Sequence, residues 1–270
     1  MLMGAIIGDI VGSRFEWNNI FTKDFELFHP DCFFTDDTVM TIAVAQALMK
    51  TNRQRYERLS EESVRCMQEI EQQYPHCGYG ERFHHWIFAD DPQPYGSWGN
   101  GAAMRVSACG WAARSLEHAR ELATKVTIVS HNHPESIKAA VAVSQALYLL
   151  TRSEPKDEVL AFLAQYYDQK RTIKDYRRAK DEESISCMNT MPRAIAAFKE
   201  GNDFEDTIRN AISMGGDSDT VAAIAGSLAE ACWGVPDEYR KAARTYLDKP
   251  IKKILAEFEM SYSREYLHFY

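Results

Sequence analysis

Met214-Gly215-Gly216-Asp217-Ser218-Asp219-Thr220-Val221 runs without a break into an apolar, Ala- and Gly-rich stretch that ends at Trp233. The paired glycines supply backbone freedom and allow close approach. The stretch behind them predicts a tightly packed helix. Two carboxylates and a hydroxyl are therefore delivered to a helix N-terminus with a buried rod behind them. The N-terminal half carries an echo, Phe34-Thr35-Asp36-Asp37-Thr38-Val39, followed by its own apolar run from Met40 to Met49. Two such clusters on one chain point to one site assembled from both.

Thr35, Asp36, Asp37, Asp217, Asp219 and Thr220 offer hard oxygen donors and no soft ones, which suits Mg²⁺, Mn²⁺ or Ca²⁺ over zinc. Adjacent aspartates reach two neighbouring ions, or one ion and a partner behind it. Four carboxylates in one cavity repel unless cations sit between them. The competing reading is helix capping, because Asp and Thr favour N-termini. For one cluster alone the two readings weigh equally. For both together, each ahead of a buried helix, metal binding is the expectation.

Periodicity elsewhere is helical. Gly4, Gly8 and Gly12 recur at four-residue intervals in a helix read over Met1 to Ile20, on a face that admits another element closely. Asn18 to Phe33 reads as a loop, and Thr35 as the N-cap of a helix over Asp36 to Lys50. Arg55 to Tyr74 is amphipathic, and Pro75 to Gly101 is too rich in Gly, Pro and aromatics for one helix. Helices follow over Ala102 to Ala113, after Ser115, from Pro134 and from Pro155 to Tyr167. Asp168 to Ser184 reads as a charged, exposed loop. Further helices are expected over Met191 to Lys199, over Phe204 to Ser213 with Asp203 as cap, and in two short pieces after Pro236. No segment alternates like a strand. The expected fold is all-α: one compact domain over residues 1 to 270, a bundle of ten or more helices with a binuclear metal centre in a cleft.

The 270 residues are 45% hydrophobic and 26% charged, with a formal net charge of −8. That balance belongs to an ordinary soluble protein. No Lys/Arg block supports stable nucleic-acid binding, and no apolar run approaches the roughly 18–20 residues of a membrane span. The apolar start, interrupted by Gly4, Gly8 and Asp9 and lacking a basic region, does not read as a signal peptide. Six cysteines without a Cys-x-x-Cys pair fit reduced thiols and a cytoplasmic location. A monomer is expected.

Three further constellations carry chemistry. Gly96-Ser97-Trp98-Gly99-Asn100-Gly101 runs into a helix and offers amides to a phosphate, with Trp98 able to stack on a base or cover a ribose. A turn with a surface aromatic is the plainer reading. In Ser130-His131-Asn132-His133-Pro134, the two histidines do not share a helix face, and no further ligand favours zinc. His131 reads as a substrate contact or a structural histidine. Glu16, in Gly12-Ser13-Arg14-Phe15-Glu16-Trp17, is either a third wall of the site or a solvated carboxylate.

Gly4-Ala5-Ile6-Ile7-Gly8-Asp9 with Glu16, Phe34 to Thr38, Gly99 to Arg105, His131 to Pro134 and Gly215 to Thr220 occur in an order that resembles the ADP-ribosylglycohydrolases. Each motif is weak; five in order are specific. The resemblance implies an all-α fold with two Mg²⁺ or Mn²⁺ held by Thr35, Asp36, Asp37, Asp217, Asp219 and Thr220. It implies that Glu16 gates the metal site or acts on substrate, and that Asp36 or Asp37 takes a proton from water. It places the pyrophosphate of ADP-ribose on Ser97, Gly99, Asn100 and Gly101, and the adenosine on Trp98; the second aromatic facing Trp98 is left open, with Tyr95 as the candidate. It makes His131 a ribose or phosphate contact. The implied reaction is removal of ADP-ribose from a modified protein or other macromolecule by cleavage at C1″. A catalytically idle ADP-ribose-binding relative and a helical Mg²⁺-dependent phosphohydrolase are the alternatives. The chain is short for that family, so acceptor choice is expected in Pro75 to Gly96 and Asp168 to Ser184.

Overall fold

A computed structural model describes residues 1–51, 56–180 and 185–263 of the chain. Fifteen α-helices occur among the described residues: α1 (Met3–Gly12), α2 (Asp36–Lys50), α3 (Leu59–Glu71), α4 (Glu81–Ile87), α5 (Gly101–Met104), α6 (Ser107–Ala112), α7 (Leu116–Thr127), α8 (Pro134–Thr151), α9 (Lys156–Leu163), α10 (Ile173–Ala179), α11 (Cys187–Glu200), α12 (Phe204–Ile212), α13 (Ser218–Trp233), α14 (Asp237–Tyr246) and α15 (Lys249–Tyr262). No strand is found among these residues, only an isolated bridge between Gly99 and Ser186. The all-α expectation holds. None of these helices is long and apolar enough to cross a membrane.

The core is laid down around α1 and α13. Every residue of α1 is buried, and so is α13 from Ser218 to Glu230. The four-residue glycine spacing is the reason they pack so closely. A Cβ at Gly4 would lie 2.1 Å from the Gly226 carbonyl, one at Gly8 2.1 Å from the Ala222 carbonyl, and one at Gly12 2.4 Å from the Asp219 Cα. Those separations exclude any side chain, so the two backbones touch. The start of α1 has no side-chain cap. The buried Glu230 of α13 serves instead, accepting from the Gly4 amide at 2.8 Å, which satisfies one of the free N–H groups at a helix start. Helices α8, α11 and α12 pack around α13, and α2 lies between α1, α3, α6 and α15. One hydrophobic cluster runs from Leu2 to Tyr262.

Several boundaries differ from expectation. Helix α1 stops at Gly12, and Ser13–Phe15 continues as a 3-10 turn that leads the chain away toward Glu16. The amphipathic segment is helical over Leu59–Glu71; its expected start at Arg55 lies outside the described residues. The irregular Pro75 to Gly101 segment contains α4. The helix read over Ala102 to Ala113 is two, α5 and α6. The charged segment after Asp168 is not all loop. Thr172 and Asp175 form a capping box that starts α10, a local signal strong enough to nucleate a short helix in a polar stretch. The end of that segment, residues 181–184, lies outside the described residues. Helix α11 begins at Cys187, four residues before the expected start, and carries Pro192 inside it.

Candidate metal centre and substrate cleft

The N-terminus of α2 forms the first wall. Thr35 is in extended backbone and caps the helix, its hydroxyl accepting from the Asp37 amide at 3.3 Å. Asp9, in the middle of α1 and fully buried, holds this turn from behind. Its Oδ1 accepts from the Thr35 hydroxyl at 2.7 Å, and its Oδ2 from the Thr35 amide at 2.9 Å and the Thr38 amide at 3.0 Å. The Thr38 hydroxyl donates to the same Oδ2. The Asp36 amide donates to the Cys77 carbonyl at 2.7 Å, and Gly78 lies beside the Asp36 carboxylate.

The N-terminus of α13 forms the second wall. Gly215 and Gly216 have φ of 67° and 84°, a left-handed pair that favours glycine. Asn19 grips this turn: its Nδ2 donates to the Gly216 carbonyl at 3.0 Å and its Oδ1 accepts from the Gly216 amide. Asp217 stands at the N-cap position but makes no side-chain cap bond. Its Oδ2 accepts instead from Asn100 Nδ2, which also donates to the Thr190 hydroxyl at 2.9 Å.

The walls meet. The Thr220 hydroxyl donates to Asp37 Oδ2 at 3.0 Å. Carboxylate oxygens of Asp9, Asp37 and Asp219 lie within 4.8 Å of one another, and so do those of Glu16, Asp217 and Asp219. Asp219 belongs to both groups. Of the residues expected to hold metal, Asp37, Asp217 and Asp219 fall in these groups, with Thr220 bridging them. Asp36 falls in neither group. Glu16, half-buried on the turn after α1, joins the second and so lines the cluster.

Burial and mutual repulsion set the electrostatics. Burial raises the Asp36 carboxyl well above the usual carboxylate range, helped by Asp9, Asp217 and Glu16. It raises Asp37 likewise, helped by Asp9, Asp36 and Asp217, and Asp219, helped by Asp217 and Asp37. Asp9 is raised by burial to about 6, the bonds from Thr38 and Thr35 opposing. Asp37 Oδ1 is buried with no hydrogen-bond partner. Buried carboxylate oxygens are ordinarily paired or metal-bound. An unpartnered oxygen among mutually repelling carboxylates fits a divalent cation with hard oxygen ligands.

The Gly96–Gly101 loop borders this cluster through Asn100. The Asn100 amide donates to the Ile185 carbonyl at 2.8 Å and the Gly99 amide to the Ser97 hydroxyl at 3.1 Å. Two amides expected to face a phosphate are thus engaged within the protein, which makes the loop rigid. Ser136 donates to the Ser97 carbonyl at 2.9 Å and so anchors it further. His131 is buried beneath the loop, where a Cβ at Gly101 would come within 3.2 Å of its Nε2. Burial, with Arg105 and Arg82 nearby, lowers its pKa well below the ordinary imidazole value. It is a neutral ring sharing a 2.8 Å hydrogen bond between Nδ1 and the Ser130 hydroxyl.

Trp98 is 56% exposed beside the loop. The ring packed on it is His133, at 5.7 Å. Tyr95 packs on His131 at 5.7 Å and under the Arg82 guanidinium at 4.7 Å. Asp9, Asn19, Cys77 and Gly78 were not among the expected site residues. An aspartate in the otherwise apolar run Gly4 to Val11 was a signal for the first. The others depend on contacts distant in sequence.

Comparison with known proteins agrees with this architecture. The ADP-ribosylglycohydrolase family profile matches residues 1–264. The human ADP-ribosylhydrolase ARH3 is 23% identical over an alignment covering 93% of this chain and 90% of that protein. The ADP-ribosyl-[dinitrogen reductase] glycohydrolase of Rhodospirillum rubrum is 26% identical, over 75% of this chain and 70% of its own. A solved structure titled ADP-ribosylglycohydrolase-related protein complex superposes with a TM-score of 0.70 at 22% identity, covering 95% of this chain and 93% of that one, a likeness of fold. The chain belongs to the ADP-ribosylglycohydrolase family.

Proposed function

We propose that this hydrolase removes ADP-ribose from a modified macromolecule by cleaving the glycosidic bond at C1″, with divalent metal bound between α2 and α13. The observation that carries the metal reading is the pair of carboxylate groups sharing Asp219, together with the unpartnered Asp37 Oδ1. Thr35, Asp36, Asp37, Asp217, Asp219 and Thr220 would hold two ions, Mg²⁺ or Mn²⁺. Bound there, such ions supply Lewis acidity toward ribose hydroxyls and lower the pKa of a coordinated water.

The chain's own groups supply the rest. Asp36 and Asp37 stand at the start of α2 beside the proposed metal site, where a carboxylate can serve as general base. Either takes a proton from water at its carboxylate oxygen. Glu16, whose carboxylate joins the cluster beside Asp217 and Asp219, is the competing candidate for acid/base work. Cleavage through an oxocarbenium-like state needs such acid and base groups on a held ribose. The rigid Ser97 to Gly101 loop orients the pyrophosphate end, and Trp98 offers an exposed indole face for adenine. His131 contributes by supporting that loop.

The test is a panel of ADP-ribosylated substrates differing only in acceptor, assayed with Mg²⁺, with Mn²⁺ and with chelator. Metal-dependent release of ADP-ribose is expected for at least one acceptor. A thermal shift with ADP-ribose but no release would leave a binding protein, and phosphate release in place of ADP-ribose would leave a phosphohydrolase.

A further inference from the structure

Asp9 sits in the acidic cluster, yet its surroundings differ from those of the other carboxylates. It takes five contacts from four donors, all on Thr35 and Thr38: a shared amide bond from Thr35 at 3.2 and 2.9 Å, the Thr35 hydroxyl at 2.7 Å, the Thr38 amide at 3.0 Å, and the Thr38 hydroxyl. An ionised carboxylate has about four lone-pair directions. Those of Asp9 are filled by the protein, whereas Asp37 keeps an oxygen with no partner. Asp9 is therefore built to hold and not to ligate.

Its helix is also keyed to the opposite wall. At Gly12, one turn beyond Asp9, α1 touches α13 at the backbone of Asp219 itself, where a Cβ would sit 2.4 Å from the Asp219 Cα and 2.7 Å from its amide nitrogen. One rigid helix thus fixes both halves of the cluster: Asp37 through Asp9, Thr35 and Thr38, and Asp219 through the Gly12 contact. We propose that Asp9, braced by Thr38, is a positioning residue that sets the distance between the Thr35–Asp37 and Asp217–Thr220 halves and so sets their affinity for metal. This rests on the metal reading above. Outer partners of metal ligands commonly carry a 10–100-fold share of affinity.

The experiment titrates chelator-stripped protein with Mn²⁺, following free Mn²⁺ by electron paramagnetic resonance, for the parent chain, Asp9→Asn, Thr38→Val and Thr38→Ser. Asn would turn an amide NH₂ toward donors on either oxygen, and Val keeps the shape of Thr while removing its hydroxyl. Roughly 10–100-fold weaker Mn²⁺ binding is expected for Asp9→Asn and about tenfold for Thr38→Val. Thr38→Ser, which restores the hydroxyl, should bind within about threefold of the parent. Should Asp9→Asn not fold, the Thr38 pair decides alone. Parent-like affinity in folded Thr38→Val, or a Thr38→Ser as weak as Thr38→Val, overturns the positioning role. A parent chain that binds no Mn²⁺ overturns the metal reading itself.

Discussion

The N-termini of α2 and α13 carry nearly the same residues and use them differently. At α2 the threonine does the capping, its hydroxyl taking the Asp37 amide, and the two aspartates that follow are released from that duty. At α13 the aspartate in the N-cap position does not cap; Asn100 draws its carboxylate off the helix axis. Elsewhere in the chain the same residue types cap normally. Asp203 accepts from Asp206, and Asp248 accepts from Ile251. Capping is the low-energy use of an aspartate at this position. Of the clustered aspartates only Asp217 stands at that position; gathering it with Asp37 and Asp219 in one buried cavity costs desolvation and repulsion, a cost that the cation proposed above would offset.

The most severe break in this comparison is Asp219→Ala, because Asp219 belongs to both carboxylate groups. It should lower the rate of ADP-ribose release at saturating Mg²⁺ by at least about 100-fold, in line with the several kcal/mol a catalytic metal supplies. Steady-state kinetics on an accepted substrate measures this. Asn100→Ala acts on one half only. Losing a hydrogen bond to a charged group, about 1.5–3 kcal/mol, frees Asp217 to return to capping. About tenfold lower kcat/KM is expected, with the melting temperature lowered by several degrees.

Asp37→Asn separates stability from function. It removes a carboxyl whose ionisation burial and its neighbours oppose, while keeping an oxygen for Thr220. The metal-free protein should gain roughly 0.5–2 kcal/mol, read by denaturant unfolding, while losing metal binding. The gentlest probe is pH. Asp9 is raised to about 6 from 3.8, and Asp36, Asp37 and Asp219 are raised in the same direction. A folded state with raised carboxyl pKa values retains protons that the unfolded chain has released. Their contribution is complete below the unfolded value and is lost as pH rises through the folded ones. Chelated protein should therefore lose melting temperature between about pH 4 and pH 6, the window set by Asp9, and Mn²⁺ should remove that slope.

The helical class was legible because apolar periodicity and glycine spacing are local. Gly4, Gly8 and Gly12 announced a close helix contact, and the structure supplies it against Gly226, Ala222 and Asp219. The pairing of the two acidic clusters was legible because both precede apolar runs. The Thr172–Asp175 capping box was equally local, yet the density of charge around it hid a short helix. Asp9 was quoted within a motif, but nothing in its neighbours says that it faces Thr35, 26 residues away. Asn19 reaches Gly216 across 197 residues, a contact that one-dimensional spacing does not encode. The packing of His133 on Trp98 was hidden for the same reason: it depends on how the loop after α7 returns.

Metal dependence of the hydrolysis tests the account most directly. Protein stripped with chelator and dialysed should release no ADP-ribose from a substrate that the metal-loaded protein turns over. Stepwise addition of Mn²⁺ should restore release in parallel with filling of the site. Undiminished release by the stripped protein, with calorimetry detecting no Mn²⁺ binding, would contradict the account.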